Sequence, residues 1–501
     1  MKLLKRLLAG LSLALLLFSC IREEADLQEN QLYRIVRADG QYGYGRFTKK
    51  KTNEWRGVFY QDNGVLLAGN QYVVLKFTGK KYVLKDIAGE RIDIEDPVLY
   101  EEPPYEDFPQ TWEYRDSVYA VSEIPDRLYG HADGFWVSYP DDSSKSYTEI
   151  LFSKYLERAS QLKFFVEPQD LFMDLYIPED DGKASRPLLV LIHGGAFFNG
   201  DKASIGFPQW ARYFAGLGYM VASVNYRLGF HLNTMSIERA GYRAVQDVNA
   251  AIRFLVHDKD YRVDPERVFV AGTSAGGITA LNIAFMTDSS RPSSTDKLGS
   301  IRSVNPSLTD SFSVRAVGNM WGAVNSTEIL NDAKSYVVSF HSTGDPVVPY
   351  GADRCFGKEK GSFVMPKMYG SKIITEYLGD DRAKLYSFDI PDRHTLHVDL
   401  DEETGEEHLN QRFYEIEEAM KDFFSGVMIL HPVKPIHKKD SQTIKFDNTD
   451  VETVNFKMTG GVILDSGKDF VRVLVFPGSD SVSLIASGEY KTGLTFNEEF
   501  L

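Results

Sequence analysis

The distribution of apolar and polar positions divides the chain into three parts. From residue 27 to about 112, short segments such as "EWRGVFY" are rich in aromatic and β-branched residues and are separated by Gly and Asn-Gly turns. This pattern predicts a small β meander. From about 113 to 430, continuous apolar runs such as "RPLLVLIHGG" are interleaved with stretches of helical spacing, such as "YRAVQDVNAAIRFLVHD". From 431 to 501 the strand-like alternation returns, in "FVRVLVFPGSD" and "SVSLIASGEY", and predicts a small β sandwich.

The middle part carries the pattern of an α/β fold. Strands that alternate with helices predict a mostly parallel sheet with helices on both faces. Ligands bind such sheets at the carboxyl ends of the strands, so candidate chemistry is sought where apolar runs end. The acidic, proline-rich stretch at 95–110 is interpreted as a linker between the first two parts.

The first twenty residues form a separate segment. A basic start is followed by an apolar run from Leu7 to Phe18 and by Ser19-Cys20, which predicts a secretory signal. "LFSC" resembles the lipobox of bacterial lipoproteins, and this resemblance implies a lipid on Cys20 and a membrane anchor. The acidic pair Glu23-Glu24 shortly afterwards resembles an export tag of Gram-negative lipoproteins, so we expect an outer-membrane or cell-surface location. An ordinary signal peptide or an uncleaved anchor remains the alternative.

Composition excludes several classes of protein. The formal net charge of -15 and the lack of a basic stripe argue against nucleic acid as a partner. With Cys20 lipidated, Cys355 has no disulfide partner, and two cysteines cannot build a cysteine-based metal site. We therefore expect neither a metal nor another cofactor.

Ser274 is the candidate nucleophile. It lies in "FVAGTSAGGITALNIAF", residues 269–285, where a predicted strand ends and a predicted helix begins. Such a strand-turn-helix is the context of a nucleophile elbow, and Gly272 and Gly276 stand where a Cβ would collide with neighbouring chain. The alternative is an ordinary serine in a strand-to-helix loop.

A glycine-rich turn supplies candidate oxyanion donors. "IHGGAFFNG" follows the buried run that ends near Ile192 and contains Gly194 and Gly195. With the amide of Ala275 these two glycines are predicted to form an oxyanion hole. The alternative is a tight turn without a chemical role, and His193 within it is interpreted as structural.

An acid and a base follow Ser274 in the order that this fold uses. Asp345 follows the apolar run of "VVSFHSTGDPVVPYG", and His394 follows the next one in "LYSFDIPDRHTLH". Asp345 would orient His394, which would serve as the base. His397 remains an alternative base, and the alternative acids are Asp380, Asp381 and Asp392.

Several motifs together resemble the carboxylesterase and lipase-like members of the α/β-hydrolase fold. These motifs are "HGGAFFNG", "VNYRLGF", "QDVNAAIRFL", "GTSAGG", "NMWGAV" and "FHSTGDPVVPY", within residues 145–428. The resemblance implies a serine esterase with Ser274 as nucleophile, His394 as base and acid, and Asp345 as orienting carboxylate. The histidine segment lacks the Gly-x-Gly-His form common in that family. Trp321 and the polar segments 287–312 and 351–370 could line or cover the site.

The C-terminal part, residues 431–501, is similar to the Ig-like (PKD-type) modules of secreted bacterial proteins. The expected function is hydrolysis of carboxylic esters, on acylated carbohydrate or on small or lipid esters outside the cytoplasm. Two alternatives remain: a serine peptidase of the same fold, and a surface binding or adhesion lipoprotein whose hydrolase domain is an inactive scaffold.

Overall fold

A computed structural model describes the chain from residue 27 to residue 500, with interruptions. The interruptions are residues 29–30, 39, 63–66, 87–90, 96, 101–113, 115–118, 140–146, 162–164, 180, 182, 184, 332–333, 358–361, 402–405, 429–440, 446–450, 460, 468–469, 476–482 and 491–494. The predicted signal segment with Cys20 therefore lies outside the described residues. No helix among the described residues is both long and apolar enough to cross a membrane.

The N-terminal part is a seven-stranded antiparallel sheet in the order β6-β5-β4-β3-β2-β1-β7. Its strands are β1 Leu32–Val36, β2 Tyr42–Lys51, β3 Glu54–Asp62, β4 Leu67–Phe77, β5 Tyr82–Asp86, β6 Arg91–Ile94 and β7 Val98–Tyr100. Strands β1 to β6 pair with their neighbours in sequence, as the predicted meander requires. The linker predicted for 95–110 is wrong for residues 98–100, because "VLY" pairs antiparallel with β1 and extends the sheet beyond it.

An eight-stranded sheet forms the centre of the second part, in the order β18-β15-β13-β12-β10-β11-β9-β8. The strands from β8 to β20 are β8 Val121–Gly134, β9 Glu167–Pro178, β10 Arg186–Ile192, β11 Met220–Val224, β12 Val263–Thr273, β13 Val314–Met320, β14 Ala323–Val324, β15 Tyr336–Gly344, β16 Ala352–Arg354, β17 Lys367–Gly370, β18 Ala383–Pro391, β19 Val398–Leu400 and β20 Glu407–Leu409. The strands from β11 to β18 along this order pair in parallel, and β9 pairs antiparallel with β11. β8 lies at the edge and is mostly exposed, so the apolar pattern did not predict it.

Helices cover both faces of this sheet. They are α1 Tyr147–Ser160, α2 Phe207–Gly216, α3 Thr234–His257, α4 Ala275–Phe285, α5 Ser371–Leu378 and α6 Gln411–Gly426. Adjacent residues of β12 point to opposite faces: Val268 and Val270 join a core with α3 and α4, whereas Phe269 packs against Phe424 of α6. The α/β-hydrolase fold predicted from the sequence is confirmed.

The C-terminal part consists of two three-stranded antiparallel sheets, β21-β24-β23 and β22-β25-β26. Their strands are β21 Ser441–Lys445, β22 Val451–Thr459, β23 Gly461–Ser466, β24 Phe470–Val475, β25 Ser483–Tyr490 and β26 Thr495–Phe500. They belong to the same compact unit as the hydrolase domain. The Tyr490 hydroxyl joins the two, because it donates to the Met428 carbonyl at 3.0 Å and accepts from Arg315 at 2.7 Å.

Candidate active site

Ser274 lies on a strained turn between β12 and α4. Its backbone has φ 52° and ψ -116°, a region that non-glycine residues rarely occupy, and its amide donates to the Met320 carbonyl at 2.8 Å. A Cβ on Gly276 would stand 1.9 Å from the Ile192 oxygen, and one on Gly272 would stand 2.4 Å from the Gly276 carbonyl carbon. Glycine is therefore required on both sides of the serine, because the turn packs directly against the end of β10.

His394 joins Ser274 to Asp345. Its Nε2 lies 2.9 Å from the Ser274 Oγ, and its Nδ1 lies 2.7 Å and 3.0 Å from the two Asp345 carboxylate oxygens. Ser274, Asp345 and His394 follow β12, β15 and β18, so the parallel strands bring the three to one edge of the sheet. With Nδ1 protonated toward the carboxylate, Nε2 is free to accept the serine proton.

The Asp345 carboxylate is held ionised by its surroundings. The amides of Val347 and Val348 donate to its Oδ1 at 2.8 Å and 3.0 Å, and the side chain is fully buried. Burial raises the pKa of this carboxyl, but the charge of His394, together with hydrogen bonds from His341 and His394, outweighs burial and lowers the pKa to about 2. A carboxylate that stays charged can stabilise the imidazolium that forms on His394.

His341 is a site residue that the sequence analysis missed. It is fully buried in β15, and its Nε2 lies 3.2 Å from Asp345 Oδ2. Its Nδ1 lies 2.7 Å from Ser371 Oγ, which accepts a hydrogen bond from Asn319 at 3.0 Å. The available signal was a histidine inside the apolar run "YVVSFHSTGD", four residues before the acid.

The glycine-rich turn after β10 lies beside the serine. A Cβ on Gly194 would stand 3.4 Å from the Ser274 Cβ, and Gly195 has φ 95° with no room for a Cβ because Asn199 O would stand 2.1 Å away. Among the described residues, no acceptor is found for the amides of Gly194, Gly195 or Ala275. Gly194 and Ala275 thus lie directly beside Ser274, and Gly195 follows Gly194 in the same turn.

His193 contributes to the shape of this turn. Its carbonyl accepts a hydrogen bond from the Tyr226 hydroxyl at 2.8 Å, and its ring stacks on the Tyr226 ring at 4.4 Å. Burial lowers the pKa of His193 to about 4, so the ring is neutral near pH 7. This position agrees with the structural role expected from the sequence.

The alternative base and acids lie elsewhere. The His397 ring stacks between Trp210 and Trp321 with centroid distances of 5.3 Å and 5.4 Å, and burial lowers its pKa to about 4. Asp380 and Asp381 precede β18 and therefore lie at the opposite end of that strand from His394. The carboxylate that contacts His394 Nδ1 belongs to Asp345.

Two further residues of the hydrolase domain have structural positions. Asp247 is fully buried and accepts from the backbone amide of Arg227 at 2.7 Å and from its guanidinium at 2.9 Å. Trp321 is buried against the rings of His394 and His397 and does not line the cavity beside the serine.

Segment 287–312 packs against α3 and lines the cavity beside Ser274 through Pro292. Buried Gln246 of α3 donates to the carbonyls of Leu298 and Ser300 at 2.8 Å and 3.0 Å. Buried Arg253, two turns further along α3, donates to the Val304 carbonyl at 2.6 Å. These hydrogen bonds hold the segment against α3.

A cavity of about 90 Å³ lies beside Ser274. Its lining is mostly apolar and comes from the turn after β10, one face of α3, one face of α4 and residues within 347–356 and 365–368, together with Pro292 and Asn325. The second polar segment of the sequence, 351–370, therefore contributes one wall, through Cys355, Phe356, Met365 and Met368. Among the described residues, no group of three or more His, Cys, Asp or Glu side chains could hold a metal ion.

Comparisons with known proteins bear on this site. The sequence model of the family described as BD-FAE matches residues 173–344. A segment of 116 residues is 37% identical to arylacetamide deacetylase of Oryctolagus cuniculus, over 22% of this chain and 27% of that protein. A segment of 123 residues is 28% identical to a non-reducing polyketide synthase of Stachybotrys bisbyi, over 24% of this chain and 6% of that protein. Among solved structures, the butyrate-bound esterase 2 of Thermogutta terrifontis is 19% identical, with a TM-score of 0.35, over 51% of this chain and 88% of that chain.

The chain spans at most about a quarter of the length of these two curated relatives. The BD-FAE match contains the glycine-rich turn and Ser274 and ends directly before Asp345. The family match and the deacetylase support an esterase-like hydrolase domain in this chain.

Proposed function

We propose that this protein is a serine carboxylic-ester hydrolase that works through an acyl-enzyme. One observation carries the proposal, namely that Ser274 Oγ lies 2.9 Å from a histidine nitrogen whose other nitrogen contacts a buried carboxylate. This arrangement activates an otherwise weak hydroxyl nucleophile. The mostly apolar cavity beside the serine suits the acyl part of an ester.

The residues divide the reaction between them. Ser274 Oγ attacks the ester carbonyl carbon while His394 Nε2 takes the hydroxyl proton. The negative charge that develops on the carbonyl oxygen is stabilised by N–H groups of Gly194, Gly195 and Ala275. When the intermediate collapses, the C–O bond to the alcohol breaks, and His394 returns the proton to the leaving oxygen.

Deacylation repeats these steps with water. His394 takes a proton from water as the water oxygen attacks the acyl-enzyme, and then protonates Ser274 Oγ as the acid leaves. Asp345 remains ionised throughout because its pKa is held at about 2. The carboxylate thus orients His394 and balances its positive charge without exchanging a proton.

The test is hydrolysis of p-nitrophenyl acetate and butyrate by the full chain purified in detergent. Ser274→Ala should lower kcat by about 10⁶-fold. Ser335→Ala is the matched control and should leave the rate unchanged. Ser335 is buried directly before β15, at the end of that strand opposite to Asp345, and it donates to the Val314 carbonyl. Equal rates for the wild type and Ser274→Ala would contradict the proposal.

A fluorophosphonate probe separates the remaining alternatives. Labelling of the wild type and not of Ser274→Ala is expected, whereas an unlabelled wild type would indicate an inactive scaffold. Turnover of aminoacyl p-nitroanilides without turnover of esters would instead indicate a peptidase.

We also propose that the protein is a lipoprotein anchored through Cys20 at the outer membrane or cell surface. The support is the sequence "LFSC" after an apolar run, followed by acidic residues. Cells given radioactive palmitate should label the wild-type protein and leave Cys20→Ala unlabelled and released from the membrane fraction. Label retained in Cys20→Ala would contradict the anchor.

A further inference from the structure

The cavity beside Ser274 follows one face of α4. Ser274, Ile278, Asn282 and Met286 all line it, and residues four apart lie on the same face of a helix. From the first to the last of these residues the helix rises about 18 Å. The lining residues therefore extend along α4 away from the serine.

The opposite wall is one face of α3, and it contains a glycine. Ile237, Gly241 and Val245 stand four residues apart along this face. Gly241 lies well inside a 24-residue helix, where glycine is less favourable than alanine because it loses more conformational freedom on folding.

Neither the backbone nor the packing requires glycine at this position. Gly241 is not among the glycines with positive φ. A Cβ added there would meet only the ring of Phe197, with its three nearest atoms at 3.6, 3.8 and 4.0 Å, which is ordinary van der Waals contact. The missing side chain leaves open space in the cavity, opposite the face of α4 that carries the nucleophile.

We propose that Gly241 determines which acyl groups the enzyme accepts, and that its substrates are esters of apolar acyl groups longer than acetyl. This inference rests on the proposed ester hydrolysis. An acyl chain bound to Ser274 extends along Ile278 and Asn282 and passes the open space at Gly241. A side chain at position 241 occupies that space between Phe197 and α4 and excludes long acyl groups, whereas an acetyl group still fits.

The test compares Gly241→Ala and Gly241→Leu with the wild type on p-nitrophenyl acetate, butyrate and octanoate. In Gly241→Ala the ratio of kcat/KM for octanoate over acetate should fall roughly tenfold, the scale on which a pocket discriminates one methylene, and Gly241→Leu should lower it further. The kcat/KM for acetate should change by less than about threefold. Gly241→Ala should also melt at a higher temperature than the wild type, because alanine favours the helix.

Met235→Ala is the matched control, because Met235 is an exposed residue of the same helix and does not line the cavity. It should leave the octanoate to acetate ratio unchanged. An unchanged ratio in Gly241→Ala, or an equal loss on all three esters, would overturn the role of Gly241 while leaving ester hydrolysis intact. A wild type that prefers acetate would overturn the substrate class, and a wild type that hydrolyses none of the three would refute the proposed function itself.

Discussion

Asp345 offers a quantitative test of the site through the stability of the protein. Its carboxyl has a pKa of about 2 in the folded chain. Burial alone would raise this pKa, but the charges and hydrogen bonds of His394 and His341 outweigh burial. In the unfolded chain the pKa returns to about 3.8, so the ionised form contributes about 2.4 kcal/mol to the free energy of unfolding, at 1.36 kcal/mol for each pH unit. The side chain is fully buried, so solvent screening does not reduce this figure.

Because the pKa of Asp345 is lower in the folded chain than in the unfolded chain, the free energy of unfolding decreases as the pH falls. The stabilisation is fully present above about pH 4 and is lost as the pH falls through 2, because the unfolded chain binds the proton first. In Asp345→Asn this dependence disappears. Between pH 5 and pH 2 the free energy of unfolding of the wild type should therefore fall by about 2 kcal/mol more than that of the variant.

The assay is urea unfolding at several values between pH 5 and pH 2, followed by tryptophan fluorescence. Trp210 and Trp321 lie in the hydrolase domain close to the site and report on its unfolding. Asp380→Asn serves as control, because this exposed carboxylate lies at the other end of β18 and should leave the dependence on pH unchanged. If the free energy of unfolding changed with pH to the same extent in the wild type and in Asp345→Asn, the carboxylate would not be paired as described, and the reasoning would be refuted.

Four further predictions follow from the packing around the serine. His394→Ala should lower kcat/KM for an active ester by at least about 10⁴-fold. His397→Phe keeps a flat ring between the two tryptophans, so its kcat/KM should stay within about tenfold of the wild-type value. Because His397 is buried with its pKa lowered to about 4, the wild type should lose stability as the pH falls from 6.5 to 4, and His397→Phe should lose less over that range in urea titrations. Gly276→Ala places a Cβ 1.9 Å from the Ile192 oxygen and should cost about 3 kcal/mol or more of unfolding free energy, measured by the same titrations. Cys355 is buried with its pKa raised to about 12, so iodoacetamide at pH 8 should label it slowly in the native protein and rapidly in urea.

The sequence by itself determined the features that depend on short stretches of chain. Continuous apolar runs identified the strands of a parallel sheet, because such strands are buried on both faces. Gly-x-Ser-x-Gly at the junction of a strand and a helix identified the turn of Ser274, because a Cβ on Gly276 would stand 1.9 Å from the Ile192 oxygen of β10. The turn after β10 and the loops after β15 and β18 were likewise found from local pattern alone.

Only the tertiary structure decided which side chains meet. His394 and His397 lie three residues apart in one loop, and the choice between them depends on two tryptophans from distant parts of the chain that enclose His397. The same holds for His341, whose Nδ1 contacts Ser371 of the distant helix α5, and for Gly241, whose open space exists only because α3 packs opposite α4. Local sequence fixes backbone conformation through sterics and periodicity, whereas contacts between distant side chains arise from the packing of the whole domain, which no short stretch of sequence contains.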